Sequence, residues 1–272
     1  MRRRSVLLLG TSVVAAVVLS SCRTPSFGAR DPATEQAGDV YRLWQGVTVA
    51  ALVVGAIVFS ALVFVLVRYR RRRDDDTIPS QRAFNLRLEL GLLAVPIAII
   101  VVLYALSSRV ANDVSGLSSR PDLRVEVVGY QWSWEFRYEG TPVRILGTDT
   151  GSTGPELVLP EGRTARLRLR TTDVNHSFFV PRFLSKRDLI PRVRNEIDVR
   201  PSETGTFVGR CAEYCGLDHW RMNFRVRVLP PAEFDRWLAD QRAKAQRASA
   251  TTTPAGATTT PAGATTTPAG GG

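Results

Sequence analysis

A chain of 272 residues with 36 Lys and Arg, 25 Asp and Glu and a formal net charge of +11 has room for one domain of ordinary size besides membrane segments and a tail. The positive surplus does not mark a nucleic-acid partner. It sits at residues 2–4 and 68–73, each beside an apolar run, whereas residues 122–229 carry 17 basic against 14 acidic side chains, the distribution that membrane topology requires.

Residues 1–21 join a basic start to an apolar stretch and end in Leu19-Ser20-Ser21-Cys22. That pattern reads as a signal peptide whose end resembles the lipobox of bacterial lipoproteins, with Cys22 as the acylated first residue. The alternative is an uncleaved signal anchor. Residues 22–45 follow as an extracytoplasmic lead; 23–40, polar and carrying Pro25, Gly28, Pro32 and Gly38, is predicted to be extended. Residues 46–67 are 22 residues without a charge, enough to cross a hydrocarbon core of about 30 Å at about 1.5 Å per residue. Tyr41 and Trp44 suit the outer interface and the arginines after Val67 the cytoplasmic one, so the first span runs outside to inside. After a cytoplasmic loop, 68–87, a second span at 88–106 returns the chain outward through the bilayer of a bacterial plasma membrane. Pro96 within it points to a packing partner that re-satisfies the freed carbonyl. Glu89, in the first turn, either complements the helix dipole or serves proton movement at the membrane edge.

Strict alternation in Leu123-Arg124-Val125-Glu126-Val127-Val128, Ala165-Arg166-Leu167-Arg168-Leu169-Arg170 and Phe224-Arg225-Val226-Arg227-Val228 predicts half-buried strands, and 122–229 suffices for a two-sheet Greek-key sandwich. Residues 129–138, with Tyr130, Trp132, Trp134, Phe136 and Tyr138, read as one aromatic strand. Residues 230–248 have helical spacing around Phe234, Trp237 and Leu238. The tail, 249–272, repeats Ala-Thr-Thr-Thr-Pro-Ala-Gly three times and lacks the large apolar residues that could offset its ordering entropy, which predicts disorder.

Cys211, Cys215, His219 and Met222 fall within twelve residues, 211–222, in a chain with only two histidines. Thiolate, imidazole and thioether donors select copper over magnesium or calcium. Two thiolates four residues apart can bridge two ions from one tight loop. A cysteine pair in an exported domain is by itself more often a disulfide than a metal site, and a scarce His or Met is often a packed core residue; it is the joint spacing of all of them that reverses this.

The string Cys-x-Glu-x-Cys-Gly-x-x-His-x-x-Met, preceded by Asp173-Val174-Asn175-His176-Ser177-Phe178, resembles the dinuclear copper (CuA) signature of cytochrome c oxidase subunit II. The resemblance covers about residues 41–228. It implies that Cys211 and Cys215 bridge two copper ions, that His176 and His219 each terminate one, and that the Met222 thioether and the Glu213 carbonyl are weak axial ligands. It also implies a cupredoxin-like fold, and a magnesium ion held by the Glu213 carboxylate at the border with subunit I. Gly129-Tyr130-Gln131-Trp132-Ser133-Trp134 is similar to the family's aromatic segment, which makes Trp132 the point where electrons arrive, although Ser133 stands where an aromatic is usual. Asn85-Leu86-Arg87-Leu88-Glu89 with Pro96 matches the start of the family's second helix and gives Glu89 a proton-uptake role. Phe84 and Leu92 depart from that pattern. Lys186, Asp188 and Pro191 keep register, with Arg192 in place of a glycine.

The implied function is the electron-accepting subunit of an aerobic terminal oxidase. Electrons from cytochrome c, soluble or membrane-tethered, pass through copper to haem in subunit I, where oxygen becomes water with proton translocation; subunit III and the lipid bilayer are further partners. The rival reading is a membrane-tethered copper chaperone or thiol–disulfide protein using Cys211 and Cys215. Such a protein needs one anchor and alternating strands and helices, against the hairpin and all-β pattern here. A dinuclear-copper domain of a nitrogen-oxide reductase is disfavoured by the hairpin with Glu89.

Overall fold

Thr34 stops the chain from entering the first helix unsatisfied: its side-chain oxygen accepts from the Ala37 N–H at 3.0 Å, an N-cap that fills one of the orphan donors of a helix start. From there α1, Glu35–Arg68, runs 34 residues and α2, Leu86–Ser115, runs 30. This computed structural model of the protein describes residues 25–70, 78, 81, 84–147 and 154–251. The expected signal peptide, Cys22 and residues 252–272 of the tail lie outside the described residues. At about 1.5 Å per residue α2 is about 45 Å long, longer than a hydrocarbon core of about 30 Å. Both helices are apolar enough to cross a membrane.

Helix extends further than the uncharged runs. Part of the lead expected to be extended is the first turns of α1, and α2 continues past Leu106 to Ser115. At the start of α1 the Thr34 cap is followed by Glu35, Gln36 and Ala37, good helix formers, whereas 107–115, rich in Ser, Asn, Asp and Val, extends a helix already nucleated, which costs less than starting one. The remaining lead doubles back. The Trp44 indole Nε1 donates to Ser26 O and Gln45 Nε2 to Pro25 O, both at 3.2 Å, so residues 25–26 lie beside the outer end of the first uncharged run.

The exported part is a sandwich of two five-stranded sheets, β3-β2-β1-β5-β8 and β4-β10-β9-β6-β7. In chain order the strands are β1 Leu123–Tyr130, β2 Ser133–Tyr138, β3 Arg144–Leu146, β4 Glu156–Pro160, β5 Ala165–Thr171, β6 His176–Val180, β7 Ser185–Leu189, β8 Asn195–Val199, β9 Gly205–Cys211 and β10 Asn223–Leu229. The alternation read from the sequence sets the faces: Ala165, Leu167 and Leu169 of β5 and Phe224, Val226 and Val228 of β10 are buried, and the arginines between them point outward. Two pairs, β1 with β5 and β10 with β4, are parallel. The segment 129–138 is not one strand. β1 and β2 pair antiparallel with Tyr130 opposite Ser133, so Gln131 and Trp132 form the two-residue turn of a hairpin, the commonest loop length for one. Aromatic alternation on both sides of a short turn keeps its period of two, which is why the break is invisible to periodicity.

Between the sheets Phe178 stacks on Phe224 with ring centroids 4.7 Å apart, and Trp134 meets Phe224 edge-on at 5.0 Å. Removing such a ring, as in Phe224→Ala, costs about 3–5 kcal/mol. Helix α3, Pro231–Thr251, closes one edge, with Phe234 buried, Trp237 at 5.3 Å from the Tyr138 ring, and a forked Arg163–Asp235 pair at 2.7 and 2.9 Å.

Candidate metal centre

β6 and β9 are neighbours, Phe178 opposite Cys211, and their ends carry two of the expected ligands, His176 as the first residue of β6 and Cys211 as the last of β9. His176 thus belongs to a strand and not to a loop, and is fully buried. After Cys211 the chain makes a tight loop to Cys215, a short 3-10 turn, His219–Arg221, and then Met222. Gly216 makes the loop possible, with φ at 114°, a value L side chains rarely adopt, and with the Trp132 ring 3.3 Å from where a Cβ would sit. Gly129 lets the β1 backbone approach the His176 ring, since a Cβ there would lie 3.2 Å from it.

The donor atoms converge. Cys211 Sγ is 3.9 Å from Cys215 Sγ, 3.8 Å from His176 Nδ1 and 3.2 Å from the Glu213 carbonyl oxygen. Cys215 Sγ is 3.6 Å from His219 Nδ1 and 3.8 Å from Met222 Sδ. All six expected ligands therefore meet in one place. Both cysteines are free, far outside the roughly 2.05 Å of a disulfide. Separations of 3.6–3.9 Å suit a shared ion, because transition-metal bonds to nitrogen and sulfur of about 2.0–2.3 Å, as for zinc, let one ion touch both partners. Cys211, Cys215, Met222 and His176 are each at most 5% exposed, a soft, dry donor set that fits copper.

Proton chemistry agrees with metal binding. Burial raises a thiol, yet the His176 side chain and the backbone of Glu213 and Ser177 bring Cys211 down to about 7. Cys215 is pushed up to about 12 by burial and by the charge on Cys211. A bound cation would displace that second proton. Asp173 Oδ1 lies 2.8 Å from His176 Nε2; despite burial, its carboxyl is held below the usual range by His176 and by the N–H groups of Gln131 and Val174. The bond leaves Nδ1 of His176 facing the sulfurs, the arrangement by which a carboxylate fixes the orientation of a metal-binding imidazole. Sequence reasoning quoted Asp173 without giving it this task; a carboxylate three residues before a ligand histidine is the signal.

The hairpin turn grips the same loop. Gln131 Nε2 and Trp132 Nε1 donate to the Cys215 carbonyl at 2.8 and 3.0 Å, and the Gln131 N–H donates to Asp173 Oδ2 at 2.7 Å. Around Trp132 the loop exposes Tyr214, Leu217 and Trp220, each at least 75% exposed, a rim the sequence reading did not single out. The Glu213 carboxylate turns away from the sulfurs to accept from Lys186 Nζ at 3.0 Å, and Asp188 lies 3.3 Å from the same ammonium. Arg192, in the position where the family has glycine, has φ at 66°, the left-handed region that favours glycine.

Glu89 is not part of this centre. It lies in the first turn of α2 and accepts the Asn85 N–H at 3.1 Å, while Asn85 Oδ1 accepts from Leu88 N at 3.2 Å, a reciprocal cap.

The profile of the cytochrome c oxidase subunit II periplasmic domain matches residues 123–229. The "Probable cytochrome c oxidase subunit 2" of Streptomyces coelicolor is 36% identical over 90% of this chain and 89% of its own length. Cytochrome c oxidase subunit 2 of Mycobacterium bovis is 30% identical over 88% and 83%. Among solved structures, the periplasmic domain of subunit II of the Bradyrhizobium japonicum cytochrome oxidase shares 31% identity, covering 47% of this chain and 99% of that one with a TM-score of 0.43. With two membrane helices, a periplasmic β-sandwich and this similarity along nearly all of its length, the chain belongs to the cytochrome c oxidase subunit II family.

Proposed function

We propose that the chain accepts electrons from a cytochrome c at a dinuclear copper centre and passes them to haem in subunit I, in an assembly that includes subunit III. The observation that carries this reading is the convergence of two cysteine sulfurs, two imidazoles, a thioether and a carbonyl, with His176, Cys211, Cys215 and Met222 buried and the Trp132 indole bonded to the backbone of one of the cysteines. When bound, copper supplies a one-electron redox change shared between two ions.

The chain's own residues hold and insulate it. Cys211, Cys215, His176 and His219 would hold the copper as its strong donors, with the Met222 thioether and the Glu213 carbonyl as weak ones. Asp173 orients His176, and the aromatic packing beneath excludes water, so that ligands held by strands relax little when the charge changes. Trp132, half-buried beside Cys215, is the proposed point of electron arrival. The Glu213 carboxylate, with Lys186 and Asp188 beside it, is the proposed magnesium ligand toward subunit I. Glu89, capped at the cytoplasmic mouth of α2, is the proposed proton-uptake carboxylate. For Cys22 we propose acylation, which the return of residues 25–26 to the membrane boundary supports.

The test is reduction kinetics in the intact oxidase. Trp132→Ala should slow reduction of the copper centre by a cytochrome c donor while leaving its absorption spectrum unchanged. Unchanged kinetics would remove Trp132 from the path, and a chain that binds no copper would overturn the reading as a whole.

A further inference from the structure

Both membrane helices are gripped by a single stretch of the β domain. The link that leaves α2 is held at Ser118: its N–H donates to Asp198 Oδ2 at 2.7 Å, and its carbonyl accepts from Arg166 Nη2 at 2.6 Å. Arg166 and Asp198 pair with each other at 2.8 and 3.0 Å, with side chains only 13% and 4% exposed. The start of α1 is held by the residues immediately after. Glu35 N–H donates to Arg200 O at 3.0 Å, Thr34 bridges to Pro201, and Ser202 N–H donates to Ala33 O at 3.0 Å. Ala33 and Ala37 are fully buried there. Residues 198–202 thus hold the periplasmic ends of both helices.

The same stretch is wired to the metal ligands. Ala33 N–H donates to Arg182 O at 2.9 Å, and Arg182 lies just past the end of β6, whose first residue is His176. Ser202 lies just before β9, whose last residue is Cys211. Two adjacent strands therefore run from the helix anchor at one end to two copper ligands at the other. A hydrogen-bonded strand pair bends little along its length, so a shift at the anchor moves the ligands with it.

We propose that Arg166 and Asp198, with Ser118 between them, are positioning residues for the electron step that leaves copper. By clamping the domain to its membrane hairpin they fix where the copper centre stands relative to subunit I. This rests on the proposed copper-to-haem route. A buried pair broken on one side leaves an unpaired charge and endangers folding, whereas removing both charges together is far milder. The variants are therefore the double change Arg166→Met with Asp198→Asn, and separately Arg166→Lys, which keeps the pair's charge but not the fork that reaches the Ser118 carbonyl.

In the assembled oxidase, the centre's absorption and paramagnetic spectra and its reduction by donor should match the unmodified protein. Onward transfer to haem should slow severalfold in the double variant and by less in Arg166→Lys, since electron tunnelling between two centres falls off exponentially as they are moved apart. Onward transfer within twofold of the unmodified rate would overturn the proposal. So would an altered copper spectrum, which would make the pair part of the domain's fold rather than of its placement. Absence of a copper signal in the unmodified oxidase would instead strike the copper reading itself.

Discussion

The indole N–H of Trp132 donates to the carbonyl of Cys215 at 3.0 Å, so a half-exposed aromatic ring is one hydrogen bond from the backbone of a proposed bridging ligand. Replacing Trp132 by Phe keeps a ring and loses that bond; replacing it by Ala loses both. Stopped-flow reduction by cytochrome c should slow in the order Ala more than Phe, by about tenfold for Ala, equivalent to about 1.4 kcal/mol of barrier. A Phe variant as fast as the unmodified protein would show that the bond has no part in it, and equal rates for the two variants would show the same of the ring.

Asp173 fixes the His176 ring through its 2.8 Å contact. Asp173→Ala leaves His176 Nε2 without that partner, and copper affinity measured by competition with a chelator should fall by about 10–100-fold, the usual cost of losing such a carboxylate. Asp173→Asn, which can still bond the ring, should lose less.

Tyr138 is a buried strut between the sheets. Its hydroxyl donates to Val158 O at 2.9 Å and accepts from Val158 N at 2.8 Å. Tyr138→Phe strands both Val158 groups in the core and should lower stability in chemical denaturation by about 1–3 kcal/mol, with the copper spectrum unaffected.

Glu135, whose side chain is only 7% exposed, lies between Arg137 and Arg144 at 2.7 and 2.6 Å. Its hydrogen bond with Arg137 is the main influence that holds its carboxyl below the ordinary range, and Arg144 adds to it against the opposing effect of burial. A lowered folded-state value means that this contribution to stability is complete above the ordinary carboxylate range and is lost as pH falls through the folded value. Thermal unfolding between neutral and acid pH should show a steeper acid loss for the unmodified protein than for Glu135→Gln, which is destabilised at neutral pH and has no carboxylate there to titrate.

What could be read in the sequence is what is local. Cys211, Cys215, His219 and Met222 fall within one short segment, so their spacing carries the chemistry, and the alternation of β5 and β10 names the buried residues correctly. His176 lies 35 residues before Cys211, and nothing in its own neighbourhood assigns it; family resemblance supplied it, and the β6–β9 pairing explains it. The Gln131–Trp132 turn stayed hidden because a two-residue hairpin preserves alternation on both sides. The helical overhangs of α1 and α2 stayed hidden because, beyond the bilayer, no apolar periodicity need continue. Contacts such as Asp198 with Ser118 join residues 80 apart and leave no mark on either segment.

The most direct measurement is the copper content of the purified protein together with its electron paramagnetic resonance spectrum. The account predicts two coppers per chain and a seven-line hyperfine pattern, from one unpaired electron shared equally by two nuclei. One copper with a four-line pattern, or a Cys211–Cys215 disulfide that excludes metal, would contradict it.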